Sequence, residues 1–185
     1  TFMAKPMENE PGSSMHWHIS LRRSDGTNAF SNADGSESDM FRNFIGGLQK
    51  YTPETTIFLA PYVNSYRRFT RYMSAPINLE WGYDNRTAGF RLCGAGGKGI
   101  RIECRIGGAD LNPYLAFAAL IASGLAGIDE KLELQKPFEG DAYAGAKLTE
   151  IPKTLREAME HLEKSKMLRE ALGDEAIEHY LHTAR

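Results

Sequence analysis

Two short segments carry the side chains whose types and spacing could do chemistry. Residues 14–20 (SMHWHIS) place two imidazoles on either side of a tryptophan, and residues 101–105 (RIECR) place one carboxylate between two arginines. A neutral imidazole and a carboxylate form a suitable partial ligand set for Mg²⁺ or Mn²⁺, which leave other positions to phosphate oxygens and water. Arginine binds carboxylates and phosphates through two parallel hydrogen bonds. Together the segments predict a site where a divalent cation meets an anionic substrate.

Both segments have the period of a half-buried strand. Apolar and polar residues alternate through 15–20 and through 100–106, and successive side chains of a strand point to opposite faces. The alternation therefore predicts that Trp17 packs against a core while His16 and His18 point away from it. Taken singly, each segment is also typical of a solvated or salt-bridged strand face that has no function.

Positive charge is concentrated in the twenty residues from 86 to 105. This stretch contains Arg86, Arg91, Lys98, Arg101 and Arg105, whereas the whole chain has a net charge of -2. Such a chain has no overall attraction for nucleic acid or an anionic membrane, and the stretch lacks the interleaved aromatic residues of RNA-binding modules. We predict a local site for a small anion, with neither nucleic acid nor membrane as a partner.

The elements that must position these residues indicate an α+β fold. Asn112 followed by proline is a favoured helix start, and the apolar run after it predicts a buried helix. Short alternating strands followed by long helices predict an antiparallel sheet with a polar active-site face, backed by helices on its other face. The predicted helices span 38–49, 114–128 and 152–172, and the predicted strands span 15–20, 77–81, 90–92 and 100–106.

The chain has the length and composition of one globular domain. Of its 185 residues, 42% are hydrophobic and 25% are charged, as in ordinary soluble proteins. Cys93 and Cys104 lack the spacing of a zinc or disulfide framework. The longest apolar run, 114–128, is shorter than the roughly 20 residues that span a bilayer. We therefore expect a cytoplasmic protein.

Six blocks of the sequence together resemble the glutamine synthetase family. They occur in that family's order and at its spacing between residues 2 and 128, and the remainder is similar to the family's helical C-terminal part. Residues 81–86 (WGYDNR) resemble the branch that makes γ-glutamyl amides of polyamines or other organic amines. The six blocks are 2–6 (FMAKP), 12–21 (GSSMHWHISL), 64–68 (NSYRR), 85–91 (NRTAGFR), 101–105 (RIECR) and 109–115 (ADLNPYL).

The resemblance implies an ATP-dependent ligation with Mg²⁺ or Mn²⁺ as cofactor. The γ-carboxylate of glutamate is phosphorylated by ATP, and an amine then attacks the γ-glutamyl phosphate to give an amide, ADP and phosphate. Such phosphoryl transfer depends on a divalent metal and on fixed cations where negative charge gathers. The partners implied are thus glutamate, ATP and an amine.

The resemblance also implies a role for each matching position. His16 and Glu103 are the implied metal ligands. The implied glutamate-binding residues are Gly12, His16, Arg68 and Arg105; the implied nucleotide-binding and phosphate-binding residues are His18, Ser20, Arg86, Arg91, Lys98 and Arg101; and the implied catalytic arginines are Arg86, Arg91 and Arg105.

One departure from the family bears on the amine. In members that use ammonia, a glutamate lies in the flap before an Ala-Pro pair, whereas residues 72–76 (YMSAP) place Ser74 there. Without that negative charge an ammonium site is poorly formed, so we expect a larger primary amine such as putrescine. An ammonia-dependent glutamine synthetase is one alternative, and a catalytically silent assembly or regulatory relative is another. Pro11 and Ser14 also replace an asparagine and a glycine of the family.

The resemblance further implies that residues 1–185 are the C-terminal part of a catalytic domain. The small N-terminal domain, the start of the catalytic domain and the remaining metal-binding glutamates of the family would precede them. We expect the full-length protein to form a ring-shaped homo-oligomer. We also expect the isolated fragment to be inactive.

Overall fold

Four short strands form one sheet with helices against its apolar face. The computed structural model describes residues 1–70, 75–144 and 147–185, and its strands lie in the order β1-β4-β3-β2. The α+β class is confirmed. The strands are β1 (Trp17–Ile19), β2 (Trp81–Tyr83), β3 (Phe90–Cys93) and β4 (Arg101–Cys104), and the helices are α1 (Asp39–Leu59), α2 (Val63–Tyr66), α3 (Pro113–Asp129), α4 (Leu155–Lys164), α5 (Lys166–Leu172) and α6 (Asp174–Ala184).

The sheet differs from the prediction at its β2 edge. β4 pairs antiparallel with both β1 and β3, but β2 and β3 run parallel, with Trp81 opposite Phe90. A parallel pair usually needs a crossover of a dozen or more residues. Here residues 84–89 suffice, because β2 has three residues and the chain retraces only about 10 Å. The strand predicted for 77–81 is displaced, since Asn78 instead forms an isolated bridge with Glu150.

The apolar face of the sheet packs against α1 and α3. Trp17 is only 9% exposed and its ring lies 4.3 Å from that of Phe117 in α3, measured between centroids. This confirms that the tryptophan between the two histidines is a packing residue. The alternation of β4 is confirmed in the same way, because Ile102 and Cys104 are fully buried in this core.

Helix α1 continues beyond the predicted end at residue 49. It runs to Leu59 through Pro53, although proline removes one helical hydrogen bond and usually ends or kinks a helix. Thr52 and Thr56 donate side-chain hydrogen bonds to carbonyls four residues earlier, at 2.6 and 2.7 Å. Both halves of α1 are also buried, so packing outweighs the local preference.

Two helix predictions need correction. Asn112 caps α3 as predicted, accepting from the N–H groups of the first turn, but one side of α3 is not buried. Tyr114 is 83% exposed, and Phe117, Ile121 and Leu125 on the same side are more than 40% exposed.

The helix predicted for 152–172 is two helices. Ser165 ends α4 and begins α5, because its hydroxyl accepts from the N–H of Leu168 and donates to Glu54 of α1. Gly173, with φ of 87°, then turns the chain into α6. Within the described ranges 1–70, 75–144 and 147–185, no helix combines the length and apolarity needed to cross a membrane.

Close packing of α1 on α3 gives a stability prediction. A Cβ at Gly47 would lie 2.1 Å from the carbonyl oxygen of Ser123 and 2.8 Å from the Cα of Gly127. Overpacking of this kind typically costs about 1 to 3 kcal/mol, so we expect Gly47→Ala to lower the stability of the full-length protein by that amount, measured by urea denaturation. Gly99→Ala is the control, because a Cβ added at that position would have no neighbouring atom within 4 Å. Equal stability of the two variants would contradict this helix contact.

Candidate active site

Strand register brings three of the predicted site residues into one row across the polar face. His18 of β1 lies opposite Glu103 of β4, and Arg91 of β3 lies opposite the same Glu103. Residues paired directly across an antiparallel ladder have side chains on the same face, with Cβ atoms about 5 Å apart. The sheet therefore joins three segments that are far apart in the sequence.

Glu103 is the centre of this row. It is only 4% exposed, and it accepts from Arg91 Nη1 at 3.1 Å and from Arg105 Nη1 at 2.9 Å. His18 Nε2 lies 3.7 Å from Glu103 Oε1. A buried carboxylate is costly unless it is paired and hydrogen-bonded, and these contacts supply both. We call these four residues, Glu103, Arg91, Arg105 and His18, the Glu103 cluster.

The Glu103 cluster keeps its carboxylate ionised. Burial alone would raise the pKa of Glu103, but the hydrogen bond from Arg91 and the charge and hydrogen bond of Arg105 outweigh it, so the pKa falls below its usual range. At neutral pH the site therefore presents a fixed negative charge between two positive ones.

His16 lies on the same face and is suited to bind a cation as a neutral imidazole. Burial, followed by the charge of Arg105, lowers its pKa, while the charge of Glu103 opposes that shift. Its Nδ1 atom is buried and has no hydrogen-bond partner among the residues described. A neutral imidazole beside an ionised carboxylate fits two positions of an Mg²⁺ or Mn²⁺ shell. Within the described ranges no group of three or more His, Cys, Asp or Glu side chains could hold a metal ion, so the set is partial.

His18 connects the Glu103 cluster to Arg101. Arg101 Nε donates to His18 Nδ1 at 3.2 Å, so Nδ1 is an acceptor and the ring proton lies on Nε2, towards Glu103. Arg101 also donates to the carbonyl of Gly99 at 3.3 Å. Arg101, which is predicted to bind phosphates, is thus held beside the glycine-rich segment of residues 94–99 (GAGGKG).

A groove beside Arg101 brings together three of the six residues predicted for the nucleotide and its phosphates. It has a volume of about 970 Å³, and Ser20, Lys98 and Arg101 all line it. Asn28 shapes its wall by donating to the carbonyls of Lys98 and Ile100, at 3.1 and 2.8 Å. No sequence pattern indicated this role for Asn28, because an asparagine shortly after an Asp-Gly turn is common in loops of every kind.

Two of the residues predicted for glutamate, Arg68 and Gly12, lie near Ile106, just beyond the end of β4. Arg68 is 2% exposed, donates from Nη2 to the carbonyl of Ile106, and has a pKa lowered to about 10 by burial. A Cβ at Gly12 would lie 2.9 Å from Arg68 Cγ, so these two predicted residues are in contact. The Nε atom of Arg68 is buried and has no hydrogen-bond partner within the part of the chain described.

Arg86 is a predicted site residue that contacts the Glu103 cluster through its backbone. Its side chain is exposed, and its contribution to the cluster is its carbonyl, which accepts from Arg105 Nε at 3.2 Å. Ser74, on which the expectation about the amine rests, lies outside the described residues. A residue that the sequence did not reveal is Asp84, whose Oδ1 lies 2.8 Å from Arg91 Nη2. Only the pairing of β2 with β3 makes that contact visible.

Comparison with known proteins shows the family of the chain. The family model described as glutamine synthetase, catalytic domain, matches residues 1–185. The chain belongs to the glutamine synthetase family. It is 45% identical to the gamma-glutamylethanolamide synthetase of Streptomyces coelicolor over 185 residues, which are 100% of this chain and 39% of that protein. It is 41% identical to the glutamine synthetase of Pyrococcus furiosus over 181 residues, which are 94% of this chain and 41% of that protein.

A solved structure shares the fold of this family member. GmaS in complex with ADP matches 100% of this chain and 44% of its own, with a TM-score of 0.90 and 30% sequence identity. The chain therefore spans less than half the length of the relatives it matches, and the resemblance read from its six sequence blocks to the glutamine synthetase family is confirmed.

The Glu103 cluster predicts a specific dependence of stability on pH. Glu103→Gln leaves two arginines without their carboxylate, and we expect it to destabilise the full-length protein by on the order of 3 kcal/mol at pH 7. A depressed pKa contributes stability above the pKa of the unfolded state, and this contribution disappears as the pH falls through the folded value. The difference between wild type and Glu103→Gln should therefore stay constant down to about pH 5 and shrink below it.

Urea denaturation in the presence of EDTA measures this difference without bound metal. Glu178→Gln is the control, since Glu178 also pairs with an arginine, at 2.7 Å, but is largely exposed, and surface pairs of this kind contribute little. A difference that grows on acidification would show that Glu103 is not held ionised by its arginines.

Proposed function

We propose that the full-length protein ligates the γ-carboxylate of glutamate to a primary amine, using ATP and passing through γ-glutamyl phosphate. The family to which the chain belongs contains ligases of this kind. The observation that carries the proposal is the buried Glu103, held between Arg91 and Arg105 on the face that also presents His16. A phosphoryl transfer needs this combination of metal ligand and fixed cations.

His16 and Glu103 would hold one divalent cation, Mg²⁺ or Mn²⁺. The cation supplies positive charge to the phosphate oxygens of ATP, as divalent metals do in phosphoryl transfer. Glu103 is ionised and His16 is neutral in the pH range of the cytoplasm, which are the forms that bind metals. Further ligands would come from parts of the protein outside this chain.

The nucleotide would occupy the groove lined by Ser20, Lys98 and Arg101. Its phosphates would then point along the row towards Arg91 and Arg105. Guanidinium groups held in place by hydrogen bonds stabilise developing charge without reorganising, which is the main source of catalysis in this chemistry. Arg86, exposed beside Arg105, would approach the phosphates from the loop between β2 and β3.

Glutamate would bind near residues 105 and 106, where Arg68 donates to the carbonyl of Ile106. Arg68 and Arg105 would pair with its carboxylates, and the backbone at Gly12, which contacts Arg68, would face the amino-acid group. Burial keeps Arg68 in one position, and its unpartnered Nε atom is a donor available to a ligand. The γ-carboxylate would then lie between glutamate-binding arginines and the phosphates of ATP.

For the acceptor we propose an organic primary amine, such as putrescine or ethanolamine. Two observations support this. The sequence has Ser74 where the family resemblance implies a flap carboxylate that favours ammonium, and the relative from Streptomyces coelicolor is named for an ethanolamide product. An amine with a carbon chain binds partly through apolar contacts and needs less charge at that position than ammonium does.

The full-length protein would be a ring-shaped homo-oligomer in the cytoplasm. The ring follows from the family resemblance, and the reducing compartment is supported by Cys93 and Cys104, which are free and buried. The isolated fragment would be inactive, because the metal ligands it contributes are only part of a shell.

An acceptor panel tests the reaction and the amine. We expect the full-length protein, with ATP, Mg²⁺ and glutamate, to release ADP with putrescine or ethanolamine at least about 10-fold faster than with ammonia at equal concentration, a modest discrimination for one polar contact. Residues 1–185 alone should release none. Faster ADP release with ammonia would make the protein a glutamine synthetase, and absence of release with every amine would indicate a silent relative.

Metal-ligand variants test the site independently of the amine. Mn²⁺ binding to the full-length protein, measured by electron paramagnetic resonance without nucleotide, should lose one ion per subunit in His16→Ala and in Glu103→Ala. Turnover should fall by more than the roughly 10- to 100-fold typical of residues that only orient a ligand. His161→Ala, on the exposed side of α4, is the control. Unchanged Mn²⁺ binding in both variants would exclude this metal site.

A further inference from the structure

Asp84 holds one nitrogen of Arg91, and no function considered so far uses that contact. Arg91 Nη1 donates to Glu103 Oε2 at 3.1 Å, while Nη2 donates to Asp84 Oδ1 at 2.8 Å. The guanidinium therefore bridges two carboxylates from different elements. Among the described arginines of the polar face, Arg91 is the one with two carboxylate partners.

The backbone of Asp84 is fixed where it makes this contact. It follows β2 directly, and its N–H donates to the carbonyl of Leu92 in β3 at 3.0 Å. Its φ of 47° is in the left-handed region, which aspartate and asparagine adopt more readily than most residues. The carboxylate is thus anchored to the strand that carries Arg91.

The third nitrogen of Arg91 makes no hydrogen bond of its own to any described residue. Arg91 Nε is buried and has no hydrogen-bond partner within the described ranges. A guanidinium has five N–H donors in a rigid plane, so fixing Nη1 and Nη2 also fixes the direction of Nε–H. A cation bound by Glu103 would weaken the hold of that carboxylate on Arg91, and Asp84 would then be the contact that keeps the plane in place.

We propose that Asp84 is a positioning residue for Arg91, holding its guanidinium towards the phosphates during the reaction. The inference rests on the proposed function, which places Arg91 at those phosphates. Asp84 itself is 73% exposed at its side chain, so its loss removes little packing. Its effect should appear in turnover and ligand binding and not in folding.

The direction in which ADP affinity changes when Asp84 loses its charge tests the proposal. Asp84→Asn removes a negative charge near the proposed phosphate site, and by Coulomb's law alone this would tighten ADP binding. If Asp84 orients Arg91, binding weakens instead, because the guanidinium loses its direction. We expect calorimetry of the full-length protein with Mg²⁺ to give a dissociation constant for ADP about 3- to 10-fold higher in Asp84→Asn, and kcat lower by about 10- to 100-fold.

Asp174→Asn is a matched control. Asp174 Oδ1 lies 2.8 Å from Arg169 Nη1 and is 78% exposed at its side chain, so it has nearly the geometry and exposure of Asp84 but lies in α6. Both variants should fold with thermal midpoints close to that of the wild type, and asparagine tolerates the φ of residue 84. Only Asp84→Asn should change kcat and ADP affinity.

A double-mutant cycle shows whether Asp84 acts through Arg91. In Arg91→Lys the single ammonium cannot bridge two carboxylates as the planar group does. Adding Asp84→Asn to Arg91→Lys should therefore change kcat less than twofold, whereas independent contributions would multiply. Equal losses in both backgrounds, or tighter ADP binding with unchanged kcat, would overturn the proposal.

A readout without ligand separates this proposal from the proposed function. Phenylglyoxal modifies arginine side chains, and peptide mass spectrometry can follow Arg91 by itself. Release of its guanidinium in Asp84→Asn should speed modification of Arg91 several-fold, with no change in Asp174→Asn. If no amine supports ADP release but Arg91 becomes more reactive, the reaction is wrong and the positioning stands; if turnover is as proposed and Arg91 reactivity is unchanged, the positioning is wrong.

Discussion

The burial of one charged carboxylate constrains the polar face of the sheet. Glu103 is almost inaccessible to solvent, and its charge is compatible with that position only because arginines reach it from the neighbouring strand β3 and from its own strand. Removing either cation would leave a charge in a poorly solvated place, which proteins rarely tolerate. The strand order and the register of β4 with its two neighbours are therefore prerequisites for the site.

Under the proposed function, the same carboxylate would serve two states of the site. Hydrogen bonds to arginines and coordination of a cation use the same oxygen lone pairs, so a metal bound by Glu103 would compete with Arg91 and Arg105 for them. Arginines released from Glu103 would keep their positions through their other hydrogen bonds, Arg91 with Asp84 and Arg105 with the carbonyl of Arg86, and their free N–H groups would pair with phosphate oxygens. One set of side chains would thereby serve both the protein without ligand and the reacting complex.

The apolar side of the sheet explains why these groups are precisely placed. Trp17 and Ile102 project away from the polar face into a core shared with α1 and α3, and close contact between the two helices at Gly47 and Gly127 leaves no room for rearrangement. Functional side chains on short, well-packed strands have few conformations available. Other parts of the candidate site lie on less regular structure, since the groove beside Arg101 is lined mainly by loops and Arg68 follows the short helix α2.

The sequence by itself predicted the chemistry and determined the faces of the strands. The types and spacing in residues 14–20 and 101–105 indicated a metal and an anion, and the period of two placed Trp17 inside and the histidines outside, because side-chain direction in a strand depends only on local geometry. The blocks resembling glutamine synthetase added the family, which is confirmed, and its reaction, which stays a prediction. A capped start for α3 at Asn112 was equally local.

Only the tertiary structure decided which distant residues meet. The parallel pairing of β2 with β3, the continuation of α1 through Pro53, and the break at Ser165 all depend on packing that outweighs local preference. Contacts such as Asp84 with Arg91 and Asn28 with the carbonyl of Lys98 join residues whose own segments carry no signal for them. A sequence pattern indicates which way the side chains of one element point. Which residues meet across elements depends on strand register and burial, which are properties of the whole fold.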